Sequence, residues 1–162
     1  MTRAPIGDAT TYQVVNDVLA AWMLEWQAAS LPGRIEHIPE PDDRGHFHWL
    51  VRLRGEEKDY ITIWFSLRQR TVHVETQVMP APEENAEDLY RFLLKKNAEL
   101  REVHLAIGPE EGIYLVTQIP FGELTRERLD ETIGAVVAYT EEIFPTGMSI
   151  GLASLYRRKK RP

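Results

Sequence analysis

The 162 residues are 43% hydrophobic and 27% charged, with a net charge of −6 and no cysteine. That length suits one domain around one core, and the composition is that of a globular chain, not a disordered or fibrous one. The missing thiols exclude disulfides, thiolate zinc sites, iron–sulfur clusters and cysteine nucleophiles, so any metal would fall to His, Asp and Glu.

No stretch approaches the roughly 18 uninterrupted apolar residues of a membrane span, and the opening MTRAPIGDATTY lacks the apolar centre of a secretion signal, so the expected location is the cytoplasm. The charge is unevenly spread. The last six residues, RRKKRP, hold five of the 19 Lys and Arg, and the remaining 14 face 25 acids. An acidic body argues against a nucleic-acid surface, which needs Lys and Arg clustered on the folded face.

Residues 1–9 read as a flexible end broken by Pro5 and Gly7. TTYQ then looks like a capping box, with Thr10 as cap and Gln13 reaching back to it. Tyr12, Val15, Leu19, Trp22 and Trp26 follow at spacings of three and four, which predicts an amphipathic helix with both tryptophans in the core. LPG at 31–33 ends it, and residues 34–45, with Pro39, Pro41, Asp42 and Asp43, read as a loop that starts extended. From His46 the period becomes two. Phe47, Trp49, Val51 and Leu53 form one face, and His46, His48, Arg52 and Arg54 the other, with Leu50 out of pattern. A turn at GEEKD leads to a strand with Ile61, Ile63, Phe65 and Leu67 inward and Tyr60, Thr62, Trp64 and Ser66 outward. The next strand sets Val72, Val74, Thr76 and Val78 against His73, Glu75 and Gln77. Three strands joined by short turns predict an antiparallel meander with one buried face and one wet face.

PAPEENAED breaks the sheet and opens a helix near Asn85 with acids in its first turn. Its expected buried side is Leu89, Leu93, Asn97 and Leu100, with Ala86, Tyr90 and Leu94 beside them. Val103, Leu105 and Ile107 form a strand, GPEEG a hairpin turn, and Ile113, Leu115, Thr117 and Ile119 alternate with Tyr114, Val116 and Gln118 in another. Thr125 caps a last long helix, in which Leu129, Ile133, Val136, Thr140 and Ile143 point inward until Pro145 and Gly147 stop it. Residues 148–162 then form a C-terminal extension with a short apolar piece and the basic tail. The expected fold is α+β in the order α-β-β-β-α-β-β-α, a largely antiparallel five-stranded sheet with helices on one face, in a single domain spanning 10–147. The open face would carry His46, His48, Tyr60, Trp64, His73, Tyr114 and Val116, an aromatic set of the kind that marks association surfaces.

The run ENAEDLYRFLLKKNAELREVHLAIGPEEGIYLVTQIPFGELTRERLDETIGAVVAYTEEIFP resembles the YbjN-like family of bacterial proteins, itself related to the type III secretion chaperones. The matching features are the helix ending in LLKKNAEL, the strand VHLAI, the acidic glycine turn, the strand ending in Pro120 and the helix opened by LTRERLDE. The resemblance spans about residues 10–147. It implies the same element order, frequent dimerisation and a chaperone-like or regulatory role in holding extended peptide segments, with no catalytic residues to carry over. HFH and the basic tail are not part of that pattern.

His46 and His48 share a strand face and could bind a metal with His73, Asp42 or Asp43 as a third ligand, but they also suit half-exposed polar positions on a wet sheet. The acid pairs Glu56/Glu57, Glu83/Glu84, Glu110/Glu111 and Glu141/Glu142 fall in turns or on polar helix sides, and neither a phosphate loop nor a nucleophile elbow is present. The reading is therefore a non-enzymatic binding domain without metal or cofactor, forming a homodimer. Its partner-binding residues are His48, Leu50, Arg52, Tyr60, Trp64, His73, Tyr114 and Val116, and an extended client would lie on the open face or add a strand at an edge. Two alternatives stand beside it. One is a structural or regulatory dimer without a client, and the other is a tail that binds an anionic polymer or membrane.

Overall fold

The alternating and helical patterns resolve into four helices and six strands in a computed structural model that describes residues 9–28, 33–38 and 48–160. The helices are α1 (Ala9–Ala28), α2 (Ala86–Asn97), α3 (Arg126–Gly151) and α4 (Ala153–Lys160). The strands are β1 (Gly33–Ile38), β2 (His48–Arg54), β3 (Tyr60–Leu67), β4 (Thr71–Met79), β5 (His104–Ile107) and β6 (Ile113–Pro120). They form one sheet in the order β1-β2-β3-β4-β6-β5, and every neighbouring pair is antiparallel. The α+β class and the chain order of the other elements follow the sequence pattern. β1 is one strand more, since residues 33–38 pair with β2 from Gly33↔Leu53 to Ile38↔His48. Expectations for residues 1–8, for Pro39–Asp43 and for His46 lie outside the described residues, as do those for the side chains of Tyr12 and Trp26.

The inner face of the sheet is a continuous apolar surface. Trp49 and Val51 of β2, Ile61, Ile63, Phe65 and Leu67 of β3, Val72 and Val74 of β4, and Ile113, Leu115 and Ile119 of β6 are all buried. Against them pack Val15, Leu19, Trp22 and Met23 of α1, Leu89 and Leu93 of α2, and Leu129, Ile133, Val136 and Ile143 of α3. Several polar groups at this layer are paired, although Thr140 Oγ1 of α3 is buried without a hydrogen-bond partner. Trp49 Nε1 donates to Asn16 Oδ1 at 3.0 Å, Trp22 Nε1 donates to Asp130 Oδ1 at 3.2 Å, and Arg126 meets Glu25 at 2.6 Å, tying α1 to the sheet and to α3.

Three local expectations change. α1 already includes Thr10, and the Gln13 amide donates to Asp17 Oδ1 at 2.8 Å instead of closing a capping box. Ala86 and Leu94 are exposed, Leu94 at 71%, because α2 lies along the sheet margin and has only one side to bury. The stop expected at Pro145 and Gly147 does not occur, and α3 runs to Gly151. The apolar stripe simply continues. A Cβ on Gly147 would sit 2.7 Å from Met79 Sδ, and one on Gly151 would lie 3.1–3.2 Å from Pro82, Leu89 and Met79, so these glycines permit close packing. The segment before α2 then caps the turn between α3 and α4. The amides of Glu83 and Glu84 donate to Gly151 O, Asn85 Nδ2 donates to Ile150 O, and Glu84 Oε1 accepts from Ser154 N. Thr125 caps α3 as expected, accepting from Arg128 N at 3.1 Å.

Candidate functional site

All helices lie on the inner face, so the outer face is left without a covering element among the described residues. Strand register fixes what it presents. Reading across the sheet, Leu50 pairs with Trp64, Trp64 with Glu75, Glu75 with Val116, and Val116 with His104. A second row runs His48, Ser66, His73 and Gln118. Towards the β2–β3 turn, Arg52 pairs with Thr62 and Arg54 with Tyr60, while Tyr114 faces Gln77 and Ala106. The eight residues singled out from sequence therefore sit on one face. Leu50, Trp64, Tyr114, Val116 and His48 are half-buried, Arg52 and Tyr60 are exposed, and His73 is only 7% exposed.

The rows are tied together laterally. His48 Nδ1 and Ser66 Oγ share a hydrogen bond of 2.8 Å, and the His48 ring meets Trp64 edge-on with centroids 6.4 Å apart. His73 Nε2 lies 3.3 Å from Glu75 Oε2, whereas His73 Nδ1 is buried without a hydrogen-bond partner. The bond from His73 holds the Glu75 carboxyl below its usual range against its partial desolvation, with help from the charges of His73, Arg68 and His48. Tyr114 moves the other way, because burial and the carboxylates of Glu75 and Glu110 disfavour its phenolate. Arg52 is steadied at both ends of its guanidinium. Nε donates to Thr62 Oγ1 at 3.3 Å, and the group lies 5.6 Å from the centre of the Tyr60 ring.

The turn that joins β2 to β3 is anchored from the inner side. Glu141 Oε2 on α3 accepts from the amides of Glu56 at 3.1 Å and Glu57 at 2.6 Å. A Cβ on Gly55 would fall 2.1 Å from Lys58 O and 2.2 Å from Glu141 Oε1, so only glycine fits there. Lys58 donates to Gln77 O, and burial pulls its pKa down while Glu141 partly restores it.

Glu75 and Ser66 are the members of the site that the sequence reading left out. Strand alternation had already put both on the outward side and Glu75 next to His73, whereas the pairing of Ser66 with His48 depends on the β2–β3 register. No group of three His, Asp or Glu side chains that could hold a metal ion occurs among the described residues, and His46 is not among those residues.

A second apolar surface lies at the sheet margin. Tyr90, Leu93 and Leu94 of α2 and Leu105, Ile107 and Ile113 of the strands line an open groove of about 330 Å³ beside β5. The edge strand next to it is not free. Asn97 Oδ1 accepts from Leu105 N at 2.7 Å and Asn97 Nδ2 donates to Leu105 O at 3.2 Å, so one side-chain amide takes the place of a neighbouring strand.

No helix among the described residues is long and apolar enough to cross a membrane. Comparison with known proteins places these features. The chain is 30% identical over 151 residues to an uncharacterized protein of Mycobacterium leprae, an alignment that covers 86% of this chain and 79% of the relative. It is 33% identical over 110 residues to uncharacterized proteins of Mycobacterium bovis and Mycobacterium tuberculosis, covering 68% of this chain and 60% of theirs. Residues 16–146, which run from within α1 through the sheet and most of α3, match the family described as "Putative bacterial sensory transduction regulator", and the chain thus belongs to the YbjN family.

Proposed function

We propose that this chain is a non-enzymatic binding domain that holds an extended segment of another protein across the outer face of its sheet. The observation that carries the reading is Trp64. Its strand neighbours Ile63 and Phe65 are fully buried on the inner face, and the indole projects outward between Leu50 and Glu75 where no described element covers it. A large aromatic ring held half-buried on the same face as Tyr60, Tyr114 and Val116 adds little to a core but supplies an anchor of the kind that dominates binding energy. Family membership supports a regulatory role coarsely, without naming a partner.

Asn97 favours the face over the β5 edge as the place of binding. A strand added at β5 would have to displace the two hydrogen bonds that Asn97 makes to Leu105.

Selection from a displayed library of linear peptides tests the reading, with the wild type and a Trp64→Ala, Tyr114→Ala double variant as baits. Sequences enriched by the wild type and lost with the variant, at a thermal midpoint shifted by only a few degrees, are expected. Equal enrichment by both baits would remove the outer face as the binding site. Sedimentation of the same two proteins separates a client site from a self-association seam, since only a seam would turn a wild-type dimer into a monomer in the variant.

A further inference from the structure

We propose that the segment accepted by the outer face is acidic, with an apolar anchor seated on Leu50 and Trp64 and carboxylates two and four residues further on, over Arg52 and Arg54. This rests on the face-binding reading and specifies its partner.

The path follows from register. β2 and β3 offer four successive outward pairs, His48/Ser66, Leu50/Trp64, Arg52/Thr62 and Arg54/Tyr60. Apolar surface therefore gives way to cationic surface along a single direction, at the strand repeat of about 6.6–6.8 Å per two residues. An extended segment running along these strands presents alternate side chains at the same repeat, so an anchor and two acids at positions i, i+2 and i+4 fall in step with the three pairs.

Charge points the same way. The chain as a whole carries 25 acids against 19 basic residues. On β2 and β3 the outward charges are Arg52 and Arg54 only, and neither meets a carboxylate among the described residues. Arg52 spends one N–H on Thr62 and stacks on Tyr60, which orients its other donors outward and lowers the entropy lost on engaging a carboxylate. The boundaries are acidic. Glu75 flanks Trp64 on the β4 side, and Glu56, Glu57 and Asp59 occupy the turn beyond Arg54, so a segment with carboxylates is confined to the β2–β3 path and its acidic run is limited to about two turns of the alternation. A single-stranded nucleic acid also carries negative charge and stacks on aromatic rings, but two arginines amid these acids are fewer cations than a phosphate backbone needs.

Fluorescence anisotropy with the full chain decides it, using fluorescein-labelled ten-residue peptides that share one Phe anchor and carry Glu, Gln or Lys at the second and fourth positions after it, together with a labelled ten-nucleotide oligothymidylate. The Glu peptide is expected to bind at least tenfold more tightly than the Gln peptide, with a preference that shrinks as salt is raised. Arg52→Gln with Arg54→Gln should erase that preference, bringing the Glu peptide to the level of the Gln peptide, and Trp64→Ala should weaken both. Equal binding of the Glu and Gln peptides would overturn the acidic assignment and leave face binding standing. Binding of no peptide would overturn both, and tighter binding of the oligonucleotide would reassign the face to nucleic acid.

Discussion

Phe65 and Trp64 are adjacent on β3, and the difference between their surroundings separates the two faces of the sheet. Phe65 is fully buried under the helices, within the apolar core. Trp64 faces the other way, half-exposed, in a row interrupted by a carboxylate and edged by histidines. Both are large aromatic residues on the same strand, so local propensity cannot tell them apart. The inner face is organised to exclude water, and the outer face keeps apolar area available beside oriented polar groups.

The comparison can be broken at its strongest point first. Phe65→Ala is expected to lower stability by about 3–5 kcal/mol, the cost of a large cavity in a packed core, measured by denaturant unfolding with an unchanged m-value. Trp64→Ala, one residue away, should cost clearly less, about 1–2 kcal/mol, because part of the indole stays in contact with water and no described element packs over it. Comparable losses at the two positions would abolish the distinction between faces.

Edge and face can be separated next. Asn97→Ala removes two hydrogen bonds to Leu105 and is expected to cost about 1–3 kcal/mol. It should also expose the β5 backbone beside Leu94 and Ile107, so that sedimentation velocity shows concentration-dependent association beyond that of the wild type. A variant that loses stability without associating would show that the amide serves packing alone. Overfilling offers an effect of similar size. Gly147→Ala should cost about 1–3 kcal/mol in thermal unfolding, because its new methyl meets Met79 Sδ, and a value near zero would show that Met79 gives way.

The smallest expected effect is electrostatic. Glu75 titrates below its ordinary value of 4.5, so its ionised form contributes stability that is complete above that value and is lost as pH falls through the depressed folded value. Glu75→Gln should therefore melt below the wild type near neutral pH, and the gap should close in acid below about pH 4.5. A gap that persists unchanged at pH 3 would mean that the His73 contact acts through shape and not through charge.

Alternation of period two placed Leu50, Trp64, Tyr114 and Val116 outward and Ile63, Phe65, Val74 and Leu115 inward, because a strand's side-chain direction is a local property that each residue inherits from its neighbours. Helical spacing marked Leu19, Trp22, Leu89, Ile133 and Val136 as core for the same reason, and the α+β class followed from the order of those patterns. Other features depended on partners distant in the chain. Residues 33–38, read from sequence only as the extended start of a loop, became a strand because β2 offered an edge to pair with. Pro145 and Gly147 lie within a helix because the apolar surface of Met79, Leu89 and Pro82 rewards its continuation, overriding two residues that break helices in isolation. The bonds of His48 to Ser66 and of Asn97 to Leu105 likewise require two segments to meet at a particular register, whereas His73 and Glu75 are two residues apart on β4. Sequence by itself thus determined which side of each element is apolar. Only the tertiary structure decided which polar groups would meet, because hydrogen bonds depend on distances of a few tenths of an ångström that residue periodicity does not encode.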